Sequence, residues 1–299
     1  MDEAKKIDKR DSLRVVTDNS IIDAGDLPKL SLDARKLFYV AVSQCRQNDN
    51  EFYQYETTPA ELAEMWGVSR QAVYKIAKQT CKELMGIVIT LPNGAKGFKM
   101  RHLFEKCDYD NDAVLTFKLH YEMTNLLLGL KKDFSKPLVW DFMKMRSPYS
   151  MALWHYFQKE MHSFKPMMSS PIMFDASLEE LRKVTGCENK LKQLSQFKER
   201  VLDKALVEIK KNCWVKITYE NIKRGRTVVG FRFLCESIFG TIDPETMPPR
   251  LQKITRKADL TRKKAEGTIT PEEFDELQEL ILELEQMTIE DYVNDYPLD

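Results

Sequence analysis

Between residues 57 and 84 two short amphipathic segments meet at Gly67-Val68-Ser69, and this junction constrains the fold more than any other feature. Thr57 or Thr58 can cap a first helix with Pro59 in its opening turn, running through Leu62 and Met65 to Trp66. Gly67 tolerates the positive φ that stops a helix abruptly, and Val68 is placed to plug the turn. Ser69 caps a second helix with Val73, Ile76, Ala77, Thr80 and Leu84 on its inner face. Two helices joined by so short a glycine turn form a helix-turn-helix. Upstream, Ser31 to Gln44 has the period of an amphipathic helix with Leu32, Leu37, Phe38, Ala41 and Val42 inward, and Glu51 to Glu56 reads as a short strand. Downstream, Ile87–Leu91, a Pro92-Asn93-Gly94 turn, Phe98–Glu105 and Ala113–His120 read as strands. Helix, strand, helix-turn-helix and hairpin in that order predict a winged helix.

The order then repeats. Ser147 caps and Pro148 opens a helix from Tyr149 to Met161, and Ile172–Phe174 is a short strand. Ser177 caps a helix containing Leu178 and Leu181, which Gly186 ends. A helix from Leu194 to Lys211 follows, with Phe197, Val201, Leu202, Ala205 and Ile209 inward. Cys213–Tyr219 and Val228–Leu234 then flank a Lys223-Arg224-Gly225-Arg226 tip. At an offset of 119, Phe38, Glu61, Leu62 and Gly67 recur as Phe157, Glu180, Leu181 and Gly186. The expected class is α+β: two tandem winged-helix domains with a C-terminal helical extension. The boundaries read as a flexible N-terminus (1–12), a first winged helix (13–135), a second (136–240), a Pro-rich linker (241–249) and an extension (250–299).

Net charge is zero over the 299 residues, yet the average hides a partition. All 46 Lys and Arg precede residue 265 with 34 of the 46 acids, so the body is +12, and residues 265–299 carry twelve acids and no base. Residues 70–106 hold eight bases against two acids, and residues 182–232 hold fourteen against five. Basic zones coinciding with helix-turn-helix units are the pattern of a polyanion binder. The outward stripe of the first recognition helix is Arg70, Gln71, Tyr74, Lys75, Lys78 and Lys82, starting at Ser69. Arg and Gln at a helix start can pair with base edges, whereas Lys meets phosphate. The second unit offers Lys190, Lys192, Gln193, Ser195, Gln196, Lys198 and Arg200, with Lys223, Arg224 and Arg226 at the tip of its wing.

Several runs carry a resemblance. Arg146-Ser147-Pro148-Tyr149-Ser150, Ser177-Leu178-Glu179-Glu180-Leu181-Arg182, the run Phe197 to Ala205 and the hairpin Ile222 to Phe233 resemble landmarks of the iteron-binding plasmid replication initiators, the Rep_3 family. The resemblance spans residues 13–238 and is most specific from 146 to 234. It implies a protein that binds direct repeats (iterons) at a plasmid origin, opens the duplex and recruits the host initiator and replicative helicase. It also implies that the first unit contacts DNA backbone and forms the dimer interface while the second is the main reader of sequence, and that a monomer–dimer equilibrium lets the dimer repress its own gene at an inverted repeat and so contribute to copy control. Glu199 stands where the family is often basic, and either accepts from cytosine N4 or bridges to a neighbouring Lys. The alternative on the same fold is a winged-helix transcriptional regulator without an initiation role.

Enzyme chemistry finds little support. No Gly is followed by Lys, so a phosphate-binding GxxxxGK[ST] loop is absent. The histidines at 102, 120, 155 and 162 form no HxH pair, and His155 and His162 read as structural or surface residues. His102 and Cys107 flank a strand without other ligands, and the six cysteines have no CxxC, as in a reduced cytoplasmic chain. Met167-Met168 reads as loop or interface. No apolar run approaches the ~18 residues needed to span a bilayer, and the charged start lacks a signal core. No cofactor, metal, membrane partner or catalytic role is expected. In the extension, Leu251 to Ala265 reads as a basic helix ended by Gly267, and Thr270-Pro271-Glu272-Glu273 opens an acidic one. Its Phe274, Leu277, Ile281 and Leu284 stripe either closes a hairpin with the basic helix or docks on the body.

Overall fold

A computed structural model describes residues 4–9, 13–110, 113–161, 171–213, 215–237 and 249–286. His162, Met167-Met168 and the expected linker as far as residue 248 lie outside the described residues. The first unit begins with β1 (Lys5–Lys6), β2 (Thr17–Asp18), α1 (Asn19–Ala24), α2 (Leu32–Ser43), β3 (Tyr55–Thr57), α3 (Pro59–Trp66) and α4 (Arg70–Gly86). It continues with β4 (Val88–Asn93), β5 (Gly97–His102), β6 (Phe104–Tyr109), β7 (Leu115–Leu119), α5 (Thr124–Leu127), β8 (Phe134–Ser135) and α6 (Val139–Met143). The second comprises α7 (Pro148–Glu160), β9 (Ile172–Ser177), α8 (Leu178–Val184), α9 (Leu194–Phe197), a π-helical turn (Lys198–Asp203), α10 (Lys204–Cys213), β10 (Val215–Arg224) and β11 (Thr227–Ser237). Then come α11 (Pro249–Glu266) and α12 (Pro271–Gln286).

Local chemistry sets both helix-turn-helix units. The Thr58 hydroxyl accepts from the Glu61 N–H while the Glu61 carboxylate accepts from the Thr58 N–H, and Ser177 and Glu180 repeat that reciprocal cap on α8. Gly67 and Gly186 turn the chain at φ 63° and 66°. Val68 does not plug its turn: it is 45% exposed, and its N–H instead donates to the Ala63 carbonyl. The neighbouring Met65 and Trp66 are the buried residues at this end of α3. Ser69 caps α4, whose Val73, Ala77, Thr80, Cys81 and Leu84 are buried.

Pairing over long sequence distances revises several other expectations. Lys5 and Lys6 are not frayed; β1 pairs in parallel with β3, and Ile7 beside it is buried. The expected strand Glu51–Glu56 shortens to β3, opposite β7. The expected strand Phe98–Glu105 divides at fully buried Leu103, where the chain leaves the two-stranded β4–β5 ribbon for the sheet β1-β3-β7-β6. Pro92 lies in β4 rather than in the turn, a position a two-stranded ribbon tolerates. The second unit has the sheet β10-β11-β9. Its long helix is not uniformly α-helical. Lys198–Asp203 is a π turn between α9 and α10, and Phe197, Val201, Leu202, Ala205, Leu206, Ile209 and Cys213 are buried along the run.

The two units share one apolar core. The period predicts a one-faced α2, yet Arg35, Lys36, Tyr39 and Ser43 are buried along with its apolar residues, because α4, β7 and α6 all pack against it. Arg35 Nη1 reaches across to donate to the Pro148 carbonyl at 2.9 Å. His155 lies at the centre of the junction, 2.9 Å from the Tyr39 hydroxyl through Nδ1 and 3.0 Å from Thr17 Oγ1 through Nε2. Thr17 in turn lies 3.3 Å from Ser135 Oγ. Burial, reinforced by Arg35, pushes His155 down to about 3, so the imidazole is neutral. A Cβ on Gly186 would lie 2.8 Å from the Pro28 side chain, so the second helix-turn-helix turn is pressed against the first unit.

Helices α11 and α12 pack on each other around Leu260, Leu277 and Leu280. α11 begins at Pro249, two residues before the expected Leu251. Arg256 makes a bidentate pair with Glu276 at 2.7 and 2.8 Å, Lys253 pairs with Glu283 at 3.1 Å, and Lys263 pairs with Glu273. Phe274 is half-buried under Lys264, and Leu280 joins the stripe. Among the described residues no helix is long and apolar enough to cross a membrane.

Candidate nucleic-acid interface

In the first unit Ser69, Arg70, Gln71, Tyr74, Lys75 and Lys78 are all exposed along α4, opposite its buried stripe. Arg70 is pre-arranged: Nη2 donates to the Tyr74 hydroxyl at 3.2 Å, and the guanidinium lies 5.5 Å from that ring. Tyr74 meets Tyr109 edge-on at 6.4 Å, which ties the stripe to β6. Lys96 and Lys99 are exposed on the adjoining ribbon, and Arg101 there pairs with Glu122 at 3.6 Å.

In the second unit Lys190, Lys192, Gln193, Ser195 and Arg200 are exposed, whereas Gln196 and Lys198 are half-buried. Lys198 lies 5.2 Å from the Tyr219 ring and 3.5 Å from Asn221 Oδ1, both on the wing strand β10. The Tyr219 hydroxyl donates to Asp203 at 2.7 Å, and burial together with that carboxylate pushes its pKa up. Helix and wing are therefore strapped together on both sides of the π turn. Glu199 is exposed there and makes no ion pair among the described residues, so the expected bridge to a neighbouring Lys does not form. At the wing tip Gly225 takes φ 64° between paired Arg224 and Thr227, leaving Lys223, Arg224 and Arg226 in solvent. Both units thus present an exposed, basic recognition helix beside a basic hairpin. Among the described residues no His, Cys, Asp and Glu cluster could hold a metal.

Residues 14–158 match the model of Initiator Replication protein, WH1, and residues 177–235 match that of Initiator Rep protein, WH2. The chain belongs to the initiator Rep protein family. A solved structure of Pi initiator protein in complex with iteron DNA matches this Rep chain with a TM-score of 0.63 at 20% identity, covering 76% of this chain and 98% of that one. That match confirms the paired winged-helix fold. A structure of domains 2 and 3 of RctB aligns with a TM-score of 0.38 at 13% identity, over 72% of this chain and 82% of that one. A comparison with curated proteins finds no match.

Sequence reasoning missed side chains that order the candidate interface. Tyr219, Asp203 and Asn221 gave no signal, because their partners lie 16 to 23 residues away. Arg182 counted as one charge among fourteen and as the end of the Ser177–Arg182 run, with no role assigned, yet its guanidinium gathers the approach to the second basic helix.

Proposed function

We propose that this Rep-family protein binds direct repeats in duplex DNA at a plasmid origin through both winged helices. The observation that carries the reading is the duplication of one arrangement. In each unit a helix capped and turned by the same Ser/Thr-Glu-Gly chemistry leads into an exposed basic helix face that stands beside an exposed basic hairpin. Exposed Arg and Gln at helix starts suit base edges, and Lys and wing Arg suit phosphate. The finer steps belong to the same proposal: the bound protein opens the duplex, recruits the host initiator and helicase, and as a dimer represses its own gene. The chain itself makes and breaks no covalent bond in this scheme. Footprinting on tandem repeats beside the coding sequence tests it. Protection of two successive major grooves per repeat is expected; binding no stronger than to random duplex overturns it.

A further inference from the structure

We infer that Arg182 is the positioning residue that shapes the sequence-reading loop of the second winged helix, an inference that rests on the DNA-binding reading above. Residues 187–193 connect α8 to α9 without regular secondary structure and carry Lys190, Lys192 and Gln193. Four backbone carbonyls of this loop converge on one guanidinium. Nη1 donates to the Cys187 and Lys190 carbonyls at 3.1 Å, and Nη2 donates to those of Leu191 and Lys192 at 3.1 and 3.0 Å. The same guanidinium lies 4.7 Å from the ring of Phe197, which is fully buried in the opening turn of the recognition helix. One cation therefore fixes both the loop and its junction with the helix.

The geometry explains the choice of arginine. Only a planar guanidinium offers paired donors spread widely enough for four carbonyls; an ammonium concentrates its donors at one point. With the carbonyls drawn inward around Arg182, the Lys190, Lys192 and Gln193 side chains are left outside and exposed. The wrap also holds Leu191 at φ 48°, a left-handed conformation that a branched residue keeps only when its surroundings impose it. Arg182 follows Leu181 on α8, and Leu181 is fully buried, so the anchor stands on a rigid helix. All four Nη hydrogens are engaged, so Arg182 acts on DNA through the loop and not by touching phosphate.

The test uses the full chain and a duplex that the unaltered protein selects from a randomised library. Arg182→Gln and Arg182→Lys should each bind the selected duplex about tenfold to hundredfold more weakly, the loss expected when base contacts are misplaced. The loss on a scrambled duplex should be several-fold smaller than on the selected one, and the far-ultraviolet dichroism should match the unaltered protein. Variants that keep the full preference for the selected duplex overturn the inference. So does an equal loss on both duplexes with a salt slope reduced by about one, which marks a direct phosphate contact. Arg182→Lys keeps the stem and the charge, so it supplies the measurement if Arg182→Gln does not fold. Failure of the unaltered protein to select any sequence refutes the DNA-binding reading itself, a separate outcome.

Discussion

Acid should loosen the junction between the two winged helices, and His155 sets the size of the effect. The ring is 1% exposed and makes one contact through each nitrogen, to the Tyr39 and Thr17 hydroxyls. A neutral imidazole suits them, with one nitrogen donating and the other accepting. Burial and Arg35 hold the folded pKa at about 3, against 6.5 for an ordinary histidine. Between those values the unfolded chain binds a proton that the folded chain refuses. The stability is therefore complete above about pH 6.5 and falls as pH drops toward 3. The slope approaches 1.4 kcal/mol per pH unit, so moving from pH 7.5 to 5 removes about 2 kcal/mol through this one group. Against a typical total of about 5–15 kcal/mol that is measurable. Urea denaturation of the intact protein and of His155→Gln at the two pH values isolates it. The variant, which cannot titrate, is expected to be less stable at pH 7.5 yet to lack the 2 kcal/mol step. Equal steps in both proteins would refute the account and place the acid sensitivity in the carboxylates.

Gly186→Ala should lower stability by about 1–3 kcal/mol, since it adds left-handed strain to a 2.8 Å clash with Pro28; an unchanged denaturation midpoint would show that the turn and residue 28 are not in contact. The double change Arg224→Ala with Arg226→Ala should weaken selected and random duplexes alike and lower the slope of log K against log salt by about two, read from salt titrations. Leu277→Ala, at a 2% exposed position, should cost the α11–α12 hairpin about 2–4 kcal/mol and abolish hydrogen-exchange protection there while leaving the main melting transition in place.

What could be read from the sequence was local. The caps at Thr58, Ser69, Ser147 and Ser177 and the turns at Gly67 and Gly186 depend on neighbours within a few residues, and each forms where its chemistry demands. The basic stripe of α4 follows from the same periodicity as the core stripe opposite it. The hidden parts depend on distant partners. Arg35 and Lys36 look like surface residues until α6, α7 and Pro148 close over them. Lys5-Lys6 becomes a strand only because β3 offers an edge some fifty residues on. Arg182 was hidden for another reason: its partners are backbone carbonyls, which carry no residue signature. The π turn left no trace in the apolar pattern, because the buried Phe197, Val201, Leu202, Ala205, Leu206, Ile209 and Cys213 also suit an ordinary amphipathic helix.

The merged core has a geometric consequence for any DNA gripped by both units. Domains of one chain usually drift relative to each other unless the interface between them is large and apolar. Here Tyr39, Phe142, Trp154 and Phe157 are buried within one continuous core, and the second turn is butted against Pro28. No slack tether separates the two recognition helices, so they work like the jaws of a locked calliper. A duplex turns once in about 10.5 base pairs, so each base pair inserted between the two contacted grooves swings one target edge by about 34° and displaces it by about 3.4 Å. Twisting or bending the duplex could absorb only part of that, at a cost of several kcal/mol. On a duplex gripped by both units, spacing would then be read through this geometry as well as through base contacts.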